Sequence, residues 1–137
     1  MRRILVDANV VLRFLRRDDP VQSDQAKRLM VHAKEGKYNL VLSVLTVAEV
    51  FYALRASYKL ERGKAAAILT DLLCAGLFEV EEESVLLDAL QRVQSANVDL
   101  GDAMLAAQAL NEECYLASFD QDFLRFPELL RHDLEKA

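Results

Sequence analysis

The chain has 137 residues, of which 53 % are hydrophobic and 28 % are charged, and its formal net charge at pH 7 is −5. These values predict one globular domain over residues 1–137 and argue against extensive disorder. The net charge is unlike that of a dedicated duplex-binding module, and no apolar run reaches the roughly 18 residues that cross a bilayer. Asp7 and Asn9 interrupt the one stretch that begins like a secretory signal, so we expect a cytoplasmic protein.

Short strand-like runs alternate with longer helical runs along the chain. The predicted strands are "RILVD" (3–7), "NLVLS" (39–43), "LFEVE" (77–81) and "CYLAS" (114–118). The predicted helices cover about 21–35, 47–58, 62–75, 84–96 and 101–113. Buried strands joined by helices are typical of an α/β domain with a mostly parallel sheet. Beyond Phe123 the pattern indicates only a short helix near "QDFLRF" and an edge strand near "LLRHDL".

Four acidic residues stand out by their position relative to these elements. Asp7 ends the first strand, and Glu49 lies in the first turn of the helix after the second strand. Asp102 opens the apolar helix that starts at 101, and Asp120 follows the fourth strand. Because the carboxyl ends of parallel strands share one edge of the sheet, where ligand crevices form, we expect these four acids to converge on one site.

Each of these acids also has a simpler structural explanation, and the acid that ends the first strand can cap the turn that follows it. Thr46 and Glu49 fit the S/T-x-x-E pattern of a capping box at a helix start. Asp99 and Asp102 stand where an acid stabilises a helix N-terminus by about 0.3–1 kcal/mol, and Asp120 can cap a short helix. These roles explain each acid singly, but they do not explain why all four lie at one edge of the sheet.

Carboxylates gathered at one edge would repel one another. Two like charges about 4 Å apart cost around 4 kcal/mol at an effective dielectric constant near 20, so without a cation some acids would take up protons. Oxygen ligands suit Mg²⁺ and Mn²⁺, which make water more acidic and stabilise charge that develops on a phosphate. Cys74 and Cys114 lack metal-type spacing and are predicted to be buried free thiols. The pattern therefore predicts metal-assisted hydrolysis rather than zinc or Ser-His-Asp chemistry.

Nearly the whole chain resembles PIN-domain ribonucleases, and specifically VapC-type toxins of type II toxin–antitoxin pairs. The resemblance rests on the order and spacing of "ILVDANVVL", "SVLTVAEVFYAL", "VDLGDAMLAAQAL" and "LASFDQDF". It implies a three-layer α/β/α sandwich around a parallel sheet, and an acidic quartet that binds Mg²⁺ or Mn²⁺ for phosphodiester hydrolysis. It also implies a small cognate antitoxin protein that occludes the cleft, and a homodimer of the toxin.

The resemblance assigns roles to individual positions. The implied catalytic and metal-binding residues are Asp7, Glu49, Asp102 and Asp120. Asp122 is the alternative to Asp120 in the same motif, and Asp99 is a further candidate for which helix capping is favoured. The implied supporting residues, which also have simple roles in turns, caps and strand ends, are Asn9, Thr46 and Ser118.

Positive charge is concentrated at the N-terminus, where residues 1–17 carry five arginines against Asp7 alone. A solvated basic face explains this charge most simply. The alternative is a patch that contacts RNA phosphates through Arg13, Arg16 and Arg17.

The predicted function is that of a Mg²⁺- or Mn²⁺-dependent endoribonuclease, the toxin of a toxin–antitoxin pair. A catalytically silent PIN scaffold that acts by binding is the alternative, and the four intact acids argue against it. A receiver-like signalling domain is disfavoured because Asp7 has no acidic neighbour and the third strand leads into "EEES". A haloacid-dehalogenase-like phosphatase needs Asp-x-Asp where this chain has Asp-Ala-Asn.

Overall fold

The computed structural model describes residues 1–136. Within them, the strands are β1 (Arg2–Leu5), β2 (Tyr38–Leu42) and β3 (Phe78–Val80). The α-helices are α1 (Ala8–Arg16), α2 (Pro20–Lys34), α3 (Val44–Ala56), α4 (Arg62–Cys74), α5 (Glu83–Ala96) and α6 (Leu100–Asn111). Two short 3₁₀ helices follow α6, at Gln121–Arg125 and Leu134–Lys136. No helix among these residues has both the length and the apolar character that crossing a membrane requires.

The three strands form one parallel sheet in the order β1-β2-β3. Ile4 of β1 is in register with Leu40 of β2, which is in register with Phe78 of β3. Parallel neighbours need long crossover connections, and α1 with α2, then α3 with α4, supply them. The predicted fold class is therefore confirmed: helices and a parallel sheet form an α/β sandwich.

The segment 114–118, predicted as a fourth strand, does not join this sheet. Leu116 makes only an isolated parallel bridge with Arg131, so the edge strand predicted near 129–134 is likewise reduced to one bridge. Tyr115 is 67 % exposed, whereas a central strand of a parallel sheet is buried on both faces. Because this fourth strand does not form, the order of the described strands, β1-β2-β3, has no point at which it reverses.

Helix α1 is absent from the sequence-based prediction, which had no element between the first strand and residue 21. β1 ends at Leu5, and Asp7 is the N-cap residue of α1, with extended backbone angles of φ −79° and ψ 155°. The buried face of α1 consists of Ala8, Val11 and Leu12. Their spacing is helical, so the pattern was present but merged with the apolar run of the strand.

The core is one cluster of buried apolar side chains that joins the helices to the sheet. Helix α3 contributes four fully buried side chains to it, since Val47, Val50, Phe51 and Leu54 are all 0 % exposed. The two cysteines are free, as predicted, but both are exposed rather than buried. Cys74 is the last residue of α4, at the solvent end of the helix, and Cys114 lies just beyond α6.

Candidate active site

Three carboxylates come together where α6 meets the first 3₁₀ helix. One carboxylate oxygen from each of Asp102, Asp120 and Asp122 lies within 4.8 Å of the other two. Asp102 is in the first turn of α6, whereas Asp120 is the N-cap residue of the 3₁₀ helix that packs against α6 and Asp122 lies in the first turn of that helix. The structure therefore brings both candidates for the fourth acid to Asp102. We call these three residues the acidic cluster.

The pKa of Asp102 is raised above its ordinary value. Burial of the carboxyl has the largest effect, followed by the negative charges of Asp120, Asp122 and Asp99. The positive charge of Arg62 acts in the opposite direction. Like charges held together in a partly buried site are unfavourable unless a cation or a proton neutralises one of them. The arrangement is one that a bound cation would stabilise.

Local hydrogen bonds fix the orientation of Asp120. Its backbone N–H donates to Ser118 Oγ over 3.0 Å, and its Oδ1 accepts a hydrogen bond of 2.8 Å from the N–H of Asp122. The second bond caps the 3₁₀ helix, so the capping role considered for Asp120 is real. Because this second hydrogen bond joins Asp120 to Asp122, the cap also holds the two residues beside each other.

Asp99 caps a helix, as favoured from the sequence. It is the N-cap residue of α6, and its Oδ1 accepts a hydrogen bond of 2.9 Å from the N–H of Leu100. Its carboxylate is still close enough to Asp102 to raise the pKa of that group. Asp99 therefore adds negative charge near Asp102 while its Oδ1 caps α6.

Asp7 is connected to α3 through its neighbour Val6, the residue that follows β1. Its exposed side chain makes no capping hydrogen bond, although Asp7 is the N-cap residue of α1. Thr46 is buried, and its Oγ1 donates a hydrogen bond of 3.3 Å to the carbonyl oxygen of Val6. Ser43 caps α3 by accepting from the N–H of Thr46, so the capping box considered for Thr46 and Glu49 does not form. Thr46 instead holds the residue that precedes Asp7.

Glu49 lies in the second turn of α3, not in the first turn as predicted, because the helix begins at Val44. Tyr52 follows Glu49 by three residues and therefore lies on the same helix face. The hydroxyl of Tyr52 accepts a hydrogen bond of 3.3 Å from the N–H of Gly101, the neighbour of Asp102. The exposed Glu49 thus lies on the face of α3 that is turned toward the start of α6.

Two residues of this region were not singled out from the sequence. The pKa of Tyr52 is raised by burial first and then by the negative charge of Asp99, with a further contribution from Asp102. Arg62, at the start of α4, donates through Nη1 to the carbonyl oxygen of Asn97, and its buried Nε has no hydrogen-bond partner among the described residues. The spacing of Tyr52 from Glu49 was a usable signal, whereas nothing near Arg62 in the sequence pointed to the site.

The arginines predicted to contact RNA are largely engaged within the protein. Arg13 donates to Gln22 over 2.8 Å and pairs with Asp18 at 3.2 Å. The guanidinium of Arg16 lies over the ring of Tyr58, at 5.3 Å from its centroid. These contacts favour a structural role for both arginines over an open patch for phosphates.

The remaining residues of the N-terminal segment are spread apart. Arg17 is the exposed C-cap residue of α1, with a left-handed backbone conformation at φ 51°. Arg3 pairs with Glu79 on the sheet, near the amino end of β1 and so away from Asp7. Asn9, in the first turn of α1, is exposed and lines a cavity of about 320 Å³ between α1 and α2. Arg3, Arg13 and Arg16 are therefore engaged by side chains on different elements of the fold.

Comparison with known proteins identifies the family. A family model described as "PIN domain" matches residues 4–129, which include Asp7, Glu49 and the whole acidic cluster. The comparison with curated proteins gave no significant match. PIN domains are generally nucleases, and therefore hydrolases, and they usually use divalent metals. Since the match covers most of this chain, the chain belongs to the PIN domain family.

Proposed function

We propose that the protein is a Mg²⁺- or Mn²⁺-dependent endoribonuclease that hydrolyses RNA phosphodiester bonds. The observation that carries this proposal is the acidic cluster, formed in a chain of the PIN domain family. Family membership supports a nuclease, and the resemblance of the four sequence motifs to VapC-type toxins supports RNA as the substrate.

The residues of the acidic cluster fit a hard divalent cation. Carboxylate oxygens are the ligands that Mg²⁺ and Mn²⁺ prefer, and opposite ligands of Mg²⁺ are roughly 4 Å apart. Three carboxylate oxygens within 4.8 Å of one another can therefore share one ion. In this proposal Asp102, Asp120 and Asp122 would hold the ion, and Asp7 and Glu49, which are not members of the acidic cluster, would complete the site around it. A bound ion of this kind supplies positive charge that stabilises the reacting phosphate and makes water more acidic.

The residues around the acids hold them in place and add charge. Ser118 and the 3₁₀ cap orient Asp120, and the Tyr52 hydroxyl connects α3 to the first turn of α6. Arg62 places a guanidinium close enough to Asp102 to lower its pKa, so it can also attract the phosphate of a bound strand. Water is the nucleophile in this proposal, because no protein nucleophile with an adjacent base was found in the sequence.

We further propose that this nuclease is the toxin of a VapBC-type pair, acting in the cytoplasm as a homodimer and restrained by a small antitoxin that covers the site. The surface of α3 beside Glu49 supports a protein partner. Leu45 is 68 % exposed and Tyr52 is 42 % exposed, and both are spaced to share a helix face with Glu49. Apolar side chains grouped beside the acids would be covered by such a partner.

Mapping of new RNA 5′ ends tests the nuclease proposal. Total cellular RNA is incubated with the purified protein in Mg²⁺ or Mn²⁺, in chelator, and with Asp7→Asn as the variant. We expect discrete new 5′ ends that need both the metal and Asp7. Asp71→Asn, which changes an exposed acid on α4, is the matched control and should cleave like the wild type. Identical profiles for wild type and Asp7→Asn across several RNA sources would favour a silent scaffold instead.

Thr46→Val should weaken both the fold and the proposed activity. Valine keeps the shape of threonine but removes the hydroxyl that donates to the carbonyl of Val6, one residue before Asp7. A lost hydrogen bond at a buried site costs about 1–3 kcal/mol, and the end of β1 becomes free to shift. We expect roughly tenfold slower RNA cleavage at a temperature where the variant remains folded, measured under single-turnover conditions.

Thr46→Ser is the control for this prediction, because it retains the hydroxyl and removes only a methyl group. It should cleave RNA at nearly the wild-type rate and lose less stability than the valine variant. If valine and serine at this position gave the same cleavage rate, the hydrogen bond to Val6 would have no part in placing Asp7.

A further inference from the structure

We propose that Phe119 and the cavity beside it bind one unpaired base of the RNA strand next to the bond that is cleaved. This inference rests on the proposed endoribonuclease function and adds to it a binding site for a part of the substrate. The residues concerned are distinct from the acids that would hold a metal ion.

Phe119 has the highest exposure of the large apolar side chains in the described residues, at 87 %. It lies between Ser118 and Asp120, and the hydrogen bond from the Asp120 N–H to Ser118 Oγ closes a turn around it. The turn places an uncovered aromatic ring on the residue immediately before a member of the acidic cluster. Aromatic rings in such positions stack on bases with little preference for sequence, because every base has a π-face.

A cavity of about 470 Å³ opens beside this ring. Its volume is within the range of roughly 300–1,000 Å³ that is usual for small-ligand sites, so a base and its ribose can enter. Gln121, on the wall that follows Asp120, offers both a donor and an acceptor to the edge of a base. The C-terminal segment at 131–135 also lines the cavity.

The charges around the cavity favour a base over a phosphate inside it. Arg131 and His132 line one part of the wall, where they can meet the phosphates that flank the base. Asp133 and Glu135 also line the cavity, and carboxylates repel phosphate but accept hydrogen bonds from the amino groups of bases. A single unpaired nucleotide, with its base inward and its phosphates outward, satisfies both sets of charges.

Stacking would also supply affinity for RNA that a chain of net negative charge cannot obtain from attraction to phosphates alone. The chain has a net charge of −5, and Arg13 and Arg16 are engaged within the protein. A protein of this charge gains little from general attraction to the phosphate backbone. Sequence-specific recognition of RNA mostly uses unstacked bases in single strands, which is the form that an exposed ring next to a cavity accepts.

Phe119→Trp provides a direct test, because the chain contains no tryptophan and the new side chain becomes the sole indole fluorophore. The full-length variant is titrated with a short single-stranded RNA of mixed sequence in chelator, so that binding is observed without cleavage. We expect saturable quenching of about half or more of the tryptophan emission, and much less quenching by the same sequence as a duplex. Tyr115→Trp is the matched control, since it is an exposed aromatic on the same segment outside the cavity, and RNA should leave its emission unchanged.

Phe119→Ala supplies a second readout. Loss of one base–aromatic stack should weaken RNA binding by roughly tenfold or more, with an unchanged melting temperature because the ring is exposed. If an RNA that the wild type cleaves neither quenched Phe119→Trp nor bound Phe119→Ala more weakly, the base site would be refuted and the nuclease proposal would stand. Quenching without any cleavage by the wild type would uphold a base-binding site at Phe119 but refute the nuclease, and with it the placement of that site next to a cleaved bond.

Discussion

Asp102→Asn should lower the rate of RNA cleavage by about a thousandfold, which corresponds to roughly 4 kcal/mol in the barrier. Asp102 is the partly buried member of the acidic cluster, and asparagine keeps its size while removing its charge. The loss of a charged ligand weakens the hold on a cation and removes part of the field that acts on the phosphate. Single-turnover cleavage of a mapped RNA site at saturating Mg²⁺ measures the effect.

The same substitution should raise the melting temperature of the metal-free protein at neutral pH. Burial and the charges of Asp120 and Asp122 raise the pKa of Asp102 in the folded state above the ordinary value of 3.8. The ionised carboxylate is therefore less favourable in the folded chain than in the unfolded chain. This destabilisation is absent below the unfolded-state pKa and develops as the pH rises through the folded-state pKa. Asparagine carries no charge and avoids it.

Melting temperatures in chelator and in Mg²⁺ separate these effects from damage to the fold. In chelator at pH 7, Asp102→Asn should melt above the wild type, and the difference should disappear at a pH well below 4. Mg²⁺ should raise the melting temperature of the wild type more than that of the variant. Asp71→Asn, at an exposed position of α4, should change neither value. A variant that was inactive and also less stable in chelator would contradict the proposed electrostatic role.

Phe51→Ala should remove about 3–5 kcal/mol from the free energy of unfolding, the usual cost of truncating a buried phenylalanine. Phe51 is 0 % exposed and packs edge-to-face against Tyr52, with ring centroids 5.3 Å apart and an interplanar angle of 84°. Proteins of this size are stable by about 5–15 kcal/mol, so the loss is a large share of the total. The melting temperature should fall by roughly 10–20 °C. Urea denaturation followed by circular dichroism measures the change.

Leu45→Ala is the control on the same helix, because Leu45 is 68 % exposed. Its effect should remain within about 0.5 kcal/mol, as for most surface substitutions. A loss below about 1 kcal/mol for Phe51→Ala would contradict the central position of Phe51 in the core. A large loss for both variants would instead indicate that the exposed face of α3 is covered in solution, as a dimer would cover it.

The elements that could be predicted from the sequence are those with a clear local pattern. The predicted helix at 21–35 is found at Pro20–Lys34, and the predicted strand at 39–43 is found at Tyr38–Leu42. Helix α1 was missed because its apolar residues follow those of β1 without a turn signal between them. The strand predicted at 114–118 failed for a different reason. A strand needs a partner to accept its hydrogen bonds, and no local pattern shows whether one is present.

The positions of Asp7 after β1 and of Asp102 in the first turn of α6 follow from the sequence alone, because they depend on the period of the apolar pattern and on neighbouring residues. The family could also be predicted from the sequence, through the order and spacing of the four quoted motifs. The meeting of Asp120 and Asp122 with Asp102, and the contact of Tyr52 with the start of α6, could be seen only in the folded chain. The reason is that local propensity acts over a few residues, whereas these distances join segments separated by many residues and depend on how helices pack.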